Sequence, residues 1–251
     1  MKENLLKQRL LHNHVSYGVI SPTTCPVVCE YLGVMGMQFY IIDAEHGAIS
    51  ISEAAHLIRA CETATITPLA RVNSLDEKTI LQYLDAGCMG IMMPGTNTVA
   101  DCKKLVQYCK YTPLGSRGLG PVRSAMYMAG TLTQQQYINY SNQQTLLLPM
   151  IETVTCLQNL ASMAAVDGID GFILGPRDLA LSMGYTDSPN HPEVKNAIDE
   201  AIKTVLNAGK IFGTVAASAE QAKELQNKGV TLLLNSIIGL LTPSVKSFLS
   251  N

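Results

Sequence analysis

The chain has no run of about 18 consecutive apolar residues, the length a bilayer-crossing helix needs, so a helical membrane protein is not expected. Its first residues, Met1 to Leu10, mix charge with leucine like a short amphipathic helix and lack the apolar core of a secretory leader. Neither sign of charge is in excess: 18 basic and 20 acidic residues leave a net charge of -2. That balance gives no electrostatic footprint for nucleic acid and no basic patch for a membrane surface, so the expected partner is a small molecule. The seven cysteines (Cys25, Cys29, Cys61, Cys88, Cys102, Cys109, Cys156) are odd in number and lack CxxC spacing. They read as reduced, mostly buried thiols of a cytoplasmic protein rather than as a disulfide framework or a zinc site. A dinucleotide fingerprint is missing too: no GxGxxG follows the first strand, and Gly33-Val34-Met35-Gly36 has the wrong spacing.

What the sequence does have is a succession of short, continuously apolar runs. Strands are expected at Val15–Ile20, Phe39–Asp43, Thr67–Val72, Gly90–Pro94, Leu146–Ile151, Gly171–Gly175, Ile211–Val215 and Thr231–Asn235. Runs that are apolar on both sides, rather than alternating, suit strands buried on both faces of a parallel sheet. Between most of them lie segments of helical period, among them Ser52–Thr63, Asp76–Ala86, Pro192–Ala208 and Ser218–Lys228. The last three run into Gly87, Gly209 and Gly229, which suit left-handed caps. Strands alternating with helices to this count predict an α/β protein, a (β/α)8 TIM barrel, with residues 1–251 forming one domain. The long stretch from Gly95 to Thr145 is expected to hold helices near Val99–Cys109 and Gln134–Ser141, with a loop over Thr112–Met128 between them.

Charge gathers where these strands end. Ile41-Ile42-Asp43-Ala44-Glu45-His46-Gly47 closes the second, Leu69-Ala70-Arg71 the third, Met150-Ile151-Glu152 the fifth and Leu174-Gly175-Pro176-Arg177-Asp178 the sixth. The C-terminal ends of parallel strands are where α/β folds keep their chemistry, and a barrel brings all four groups to one mouth. Glu152 and Asp178 are hard oxygen ligands suited to Mg²⁺, Mn²⁺ or a similar divalent ion, with room for a 2-oxoacid to complete the sphere. Such an ion would stabilise the enolate of the oxoacid. Arg71, planar and permanently charged, suits the same oxygen or the carboxylate. His46 is the natural general base, because an imidazole takes and returns a proton around neutrality.

Plainer roles stand beside these. Glu152 taken alone is as well explained by capping or solvation. Asp43 and Glu45 read as groups that shape the mouth by hydrogen bonding. His12, His14, His56 and His191 read as structural, and Arg117 and Arg123 as surface charges of the long loop. No apolar strand ends in lysine, which removes a Schiff-base aldolase; Lys210 stands at the wrong end of strand seven.

The segments IIDAEHG (Ile41–Gly47), ARVN (Ala70–Asn73), LDAGCMGIMMP (Leu84–Pro94), GSRGLGPVR (Gly115–Arg123), MIET (Met150–Thr153), VDGIDGFILGPRDLALSMGY (Val166–Tyr185) and NHPEV (Asn190–Val194) together resemble the HpcH/HpaI-type class II aldolases of the citrate lyase-like superfamily. The resemblance runs from about Tyr17 to about Leu241. It implies a barrel whose last helix is exchanged between subunits of a homohexamer, a trimer of dimers, holding a divalent metal such as Mg²⁺, Mn²⁺ or Co²⁺. It further implies His46 as base, Arg71 as the arginine of the transition state, Asp85 as the carboxylate that raises the histidine's basicity, and Glu152 and Asp178 as metal ligands. The backbone from Gly175 through Pro176 to Arg177 would face the substrate carboxylate. The implied reaction is reversible cleavage of a 4-hydroxy-2-oxoacid to pyruvate and an aldehyde.

Two positions depart from the family pattern. Met150 stands where many family aldolases carry a substrate-contacting glutamine, and a thioether cannot replace an amide donor. Methionine there also resembles siderophore-associated citrate synthases of the same fold, which condense an acetyl thioester with oxaloacetate. The end of strand eight, Leu234 to Gly239, lacks an expected acidic residue. Beside the aldolase, a synthase or oxaloacetate decarboxylase using the same enolate, and a catalytically weakened binder of metal and oxoacid, therefore stay open.

Overall fold

The computed structural model describes residues 2–186 and 190–250. Eight parallel strands close into a barrel in sequence order: β1 (Ser16–Ser21), β2 (Phe39–Asp43), β3 (Thr67–Arg71), β4 (Gly90–Met93), β5 (Leu146–Ile151), β6 (Gly171–Leu174), β7 (Ile211–Val215) and β8 (Leu232–Ser236). The helices are α1 (Leu5–Leu11), α2 (Pro26–Val34), α3 (Ile51–Thr63), α4 (Glu77–Ala86), α5 (Val99–Cys109), α6 (Gln134–Gln144), α7 (Val154–Ala164), α8 (Pro176–Ser182), α9 (Pro192–Asn207), α10 (Ala219–Asn227) and α11 (Ile237–Leu249). The expected (β/α)8 architecture is what forms. Differences from the sequence reading are confined to ends: β1 and β8 sit one residue later, β3, β4 and β6 each end one residue earlier, and Asp76, expected as the first residue of α4, is its cap.

Apolar strand residues divide by parity into two cores. Phe39 and Ile41, Leu69, Leu146, Leu148 and Met150, Ile173, and Leu232 and Leu234 pack inside the barrel. Their neighbours, including Tyr40, Ile42, Leu147, Phe172 and Leu233, pack outward against the helices. This explains why the runs are continuously apolar. Extending the same parity past the last apolar residue turns Asp43, Arg71, Glu152, Gly175 and Ser236 toward the barrel axis.

The opposite end of the barrel is closed. Leu6 and Leu10 of α1 are buried among the inner side chains, and Asn4 anchors the helix by donating from Nδ2 to the Met89 and Gln144 carbonyls at 3.0 and 2.8 Å. Lys7 adds an ion pair with Asp170 at 2.7 Å. Only the mouth at the strand C-termini is left open to a ligand.

Two segments depart from the regular pattern. In the long β4–β5 connection, a 3-10 turn at Arg123–Met128 holds Met126, Tyr127 and Met128 at φ of 50°, 56° and 56°, a conformation that non-glycine residues rarely adopt. At the chain's end, α11 is apolar yet bare: Phe248 and Leu249 are 79% and 72% exposed, and within the helix Ile237 alone is buried. No helix among the described residues is long and apolar enough to cross a membrane.

Candidate active site

The β2–β3 register sets Asp43 directly beside Arg71. The guanidinium donates to both carboxylate oxygens, Nε to Oδ1 at 2.9 Å and Nη2 to Oδ2 at 2.7 Å, and Nη1 lies 3.2 Å from Glu45 Oε2. The Asp43 carboxylate also accepts the backbone N–H groups of Glu45 at 3.3 Å and His46 at 3.2 Å. Burial by itself would raise the Asp43 carboxyl. The Arg71 hydrogen bonds and charge, with the two amides, outweigh it and hold the group below the usual aspartate range. Arg71 is thus fixed between two carboxylates, with its side chain 11% exposed. A planar, bidentate pair of this kind sets the direction of the cation as well as its charge.

Across the mouth, the β5–β6 register levels Ile151 with Leu174, so Glu152 and Gly175 leave adjacent strands side by side. A Cβ on Gly175 would lie 3.3 Å from Met150 Cε, 3.4 Å from Asp178 Oδ2 and 3.6 Å from Glu152 Cβ, so the bare glycine keeps this pocket open between the two acids. Gly95, just past β4, donates its N–H to Glu152 Oε1 at 2.5 Å. Burial pushes the Glu152 carboxyl above the ordinary glutamate range; the Gly95 amide and Arg71 oppose this, while the charges of Glu45 and Asp178 add to it. Charged acids set close together in a partly buried site suit a hard cation. The described residues contain no group of three or more His, Cys, Asp or Glu side chains that could hold a metal, so Glu152 and Asp178 stand as a pair.

His46 follows β2 with its side chain 68% exposed and Nε2 3.8 Å from Glu45 Oε2. The other expected contacts line a cavity of about 540 Å³ in the mouth, bounded by Arg71, Met150, Gly175, Pro176, Arg177 and Asp178. Met150 is 2% exposed and belongs to its apolar floor. Asp85 is placed elsewhere. It ends α4, a helix that runs back from the mouth, and its Oδ1 accepts from Arg117 Nη2 at 2.8 Å. Within one chain it does not join His46.

The two loop arginines correct the sequence reading. Arg117 has a side chain only 1% exposed, and its guanidinium lies 4.7 Å over the Tyr111 ring. Arg123 donates from Nη1 to Glu62 at 2.9 Å and to the Ala86 carbonyl at 3.1 Å. Both tie the long loop to the barrel instead of decorating its surface. Their partners lie 32 and 61 residues away, so no local spacing announced them. The end of strand eight, singled out in the sequence only for the acidic residue it lacks, gives Asn235 and Ser236 to the cavity wall, and Thr242 of α11, which the sequence did not single out, joins them. Six of the seven cysteines are buried and all are free.

A model of the HpcH/HpaI aldolase/citrate lyase family matches residues 16–237. A hydroxypyruvate/pyruvate aldolase of Cupriavidus necator is 31% identical over 236 residues, covering 93% of this chain and 86% of the relative. Among solved structures, an HpcH/HpaI aldolase from Desulfitobacterium hafniense superposes with a TM-score of 0.91 at 25% identity, covering 99% of this chain and 96% of the other. The citrate synthase SbnG superposes with a TM-score of 0.89 at 27% identity, over 98% and 96% of the two chains. A match that starts at the first strand and stops on the first turn of the last helix, shared with aldolases and with the same barrel, makes this chain a member of the HpcH/HpaI aldolase/citrate lyase family and a carbon–carbon lyase of the class II aldolase type.

Proposed function

We propose that the protein reversibly cleaves a 4-hydroxy-2-oxoacid to pyruvate, or a close analogue, and an aldehyde, with Glu152 and Asp178 holding the divalent ion. The observation that carries this reading is that Asp178 Oδ2 and Glu152 Cβ lie 3.4 and 3.6 Å from where a Gly175 side chain would begin, with Gly175 and Asp178 lining the same cavity as the clamped Arg71. When bound, Mg²⁺, Mn²⁺ or Co²⁺ supplies Lewis-acid polarisation of the oxoacid carbonyl. Arg71, oriented before substrate arrives, sets its charge against the negative charge that develops on that oxygen as the carbon–carbon bond breaks. His46 takes the proton of the C4 hydroxyl, the C3–C4 electron pair passes into the enolate, and the aldehyde leaves. The imidazolium then returns its proton to C3, which yields the methyl group of pyruvate. Asp43 and Glu45 position Arg71, and the backbone at Gly175, Pro176 and Arg177 receives the substrate carboxylate. Asp85 can assist a histidine only if that histidine belongs to a second subunit, because its own chain keeps it away from His46.

The same reading includes exchange of α11 between subunits of a hexamer, supported by the bare apolar side chains of Val245, Phe248 and Leu249. A monomer in sedimentation at micromolar concentration would overturn that part. The hydroxypyruvate/pyruvate activity named for the Cupriavidus relative supports the donor assignment. Met150 in the cavity floor and the likeness to SbnG favour, as a second reading, condensation of acetyl-CoA with oxaloacetate.

Metal-loaded protein incubated with pyruvate in deuterated water is expected to exchange the methyl protons. Glu152→Ala and Asp178→Ala should each abolish exchange while keeping the far-ultraviolet spectrum, and His46→Ala should lower exchange more than metal binding. Full activity in either acid variant would sink the assignment. Thiol release from acetyl-CoA with oxaloacetate, in the absence of pyruvate exchange, would instead establish the synthase.

A further inference from the structure

The cavity in the barrel mouth has two unlike walls. Arg71, Arg177 and Asp178 are the ionisable side chains that line it among the described residues, Arg71 at the end of β3 and the other two just after β6. The wall that continues around the barrel from β6, built by the ends of β7 and β8 and the first turns of α11, is neutral. Its apolar part is Val215, Ala217, Ile238 and Pro243. Its polar side chains are engaged by the backbone: Asn235 Oδ1 accepts from Ser236 N–H at 2.8 Å, Ser236 Oγ accepts from Gly239 N–H at 2.8 Å, and Thr242 Oγ1 donates to the Ile238 carbonyl at 2.7 Å.

On the proposed reaction, the oxoacid half of the substrate must lie against Arg71 and the acid pair. The departing carbons then project toward the neutral wall. A carboxylate or phosphate on those carbons would lose water there without gaining a cation from that wall, which is a steep cost in a partly closed site. A methyl or methylene chain would exchange water for Val215, Ile238 and Pro243, which is favourable. We infer that the aldehyde made and used at this site carries an uncharged, largely apolar chain, and that the wall of Ala217, Ile238 and Thr242 sets this preference. The inference rests on the aldolase reading of the site and extends it to the acceptor.

The test compares aldehydes added to metal-loaded protein and pyruvate, with adduct formation as the readout. Propanal should exceed succinic semialdehyde and glyceraldehyde 3-phosphate in kcat/KM by at least about tenfold. Thr242 is solvent-exposed on α11, so a lysine fits there without entering the core. Thr242→Lys should raise the ratio of succinic semialdehyde to propanal by about tenfold by supplying the missing cation. Equal or better use of the charged aldehydes by the unaltered protein would overturn the inference, as would a Thr242→Lys protein that forms adducts with the ratio unchanged. Methyl-proton exchange of pyruvate without aldehyde keeps the two readings apart. Exchange with a preference for charged aldehydes refutes the acceptor inference alone, whereas no exchange removes the aldolase reading and the inference with it.

Discussion

Asp43→Asn isolates what the Arg71 clamp contributes. The substitution keeps size and shape but removes the charge that faces Arg71, in a pair whose side chains are only 7% and 11% exposed. Removing one partner of a buried ion pair costs about 3–5 kcal/mol when the other is left uncompensated. Here the loss is smaller, because Glu45 stays 3.2 Å from Nη1 and the asparagine oxygen can still accept one N–H. A destabilisation of about 2–3 kcal/mol is expected, between the value of a charged hydrogen bond and that of a fully orphaned charge. For a chain of this size that corresponds to a fall in melting temperature of roughly 4–12 °C. Calorimetry at one fixed protein concentration and pH 7 reads it, since association would otherwise shift the midpoint.

Acid supplies a second axis for the same variant. The Asp43 carboxyl is held below its ordinary range, so the stability it contributes is present above the unfolded aspartate value and is lost as pH falls through the folded one. The gap between wild type and Asp43→Asn should therefore be widest near neutrality and close on acidification. Arg71→Met together with Asp43→Asn should cost less than the two singles added, because the second change removes the cation that the first left unpaired. A fall below about 2 °C, or strict additivity of the two variants, would refute the clamp as described.

Glu152→Gln should behave in the opposite sense. Glu152 is held above its ordinary range mainly by burial, so in metal-free protein its ionisation costs stability as pH rises through the folded value. With EDTA present, the variant should melt above wild type at pH 8 and lose that advantage toward pH 4; a variant less stable at both would contradict the electrostatic account. Met150→Gln should lower stability by about 1–3 kcal/mol, since it places an amide among Leu148 and Ile173 without a partner. Pyruvate should return part of that loss in a thermal-shift assay, and no return would mean that the amide does not reach the ligand.

The barrel was legible because closure makes every strand bury both faces, and continuous apolarity is the mark of that burial. Strand ends moved by one residue at β1, β3, β4, β6 and β8, because apolarity marks burial and not where the last ladder hydrogen bond falls. The positions of Asp43, Arg71, Glu152 and Asp178 near the strand ends were legible for a related reason: a charged residue at the end of an apolar strand is carried to the open end. What the sequence hid was pairing over distance. The hydrogen bonds from Arg71 to Asp43 span 28 residues, and those from Arg117 to Asp85 and Arg123 to Glu62 span 32 and 61. A role for Asp85 beside His46 is legible as family pattern, yet α4 carries Asp85 back from the mouth, which no periodicity reveals.

The last helix links two properties that are usually separate. Its first turns give Ile238, Thr242 and Pro243 to the cavity, and its later turns leave Val245, Phe248 and Leu249 without cover. On the proposed exchange, those later turns find their cover in a neighbouring subunit, so the first turns hold their place only while the neighbour is present. Substrate choice then becomes subject to mass action: on dilution, aldehyde preference should loosen along with subunit association, while Arg71 on β3 and the acids just after β5 and β6 stay in place.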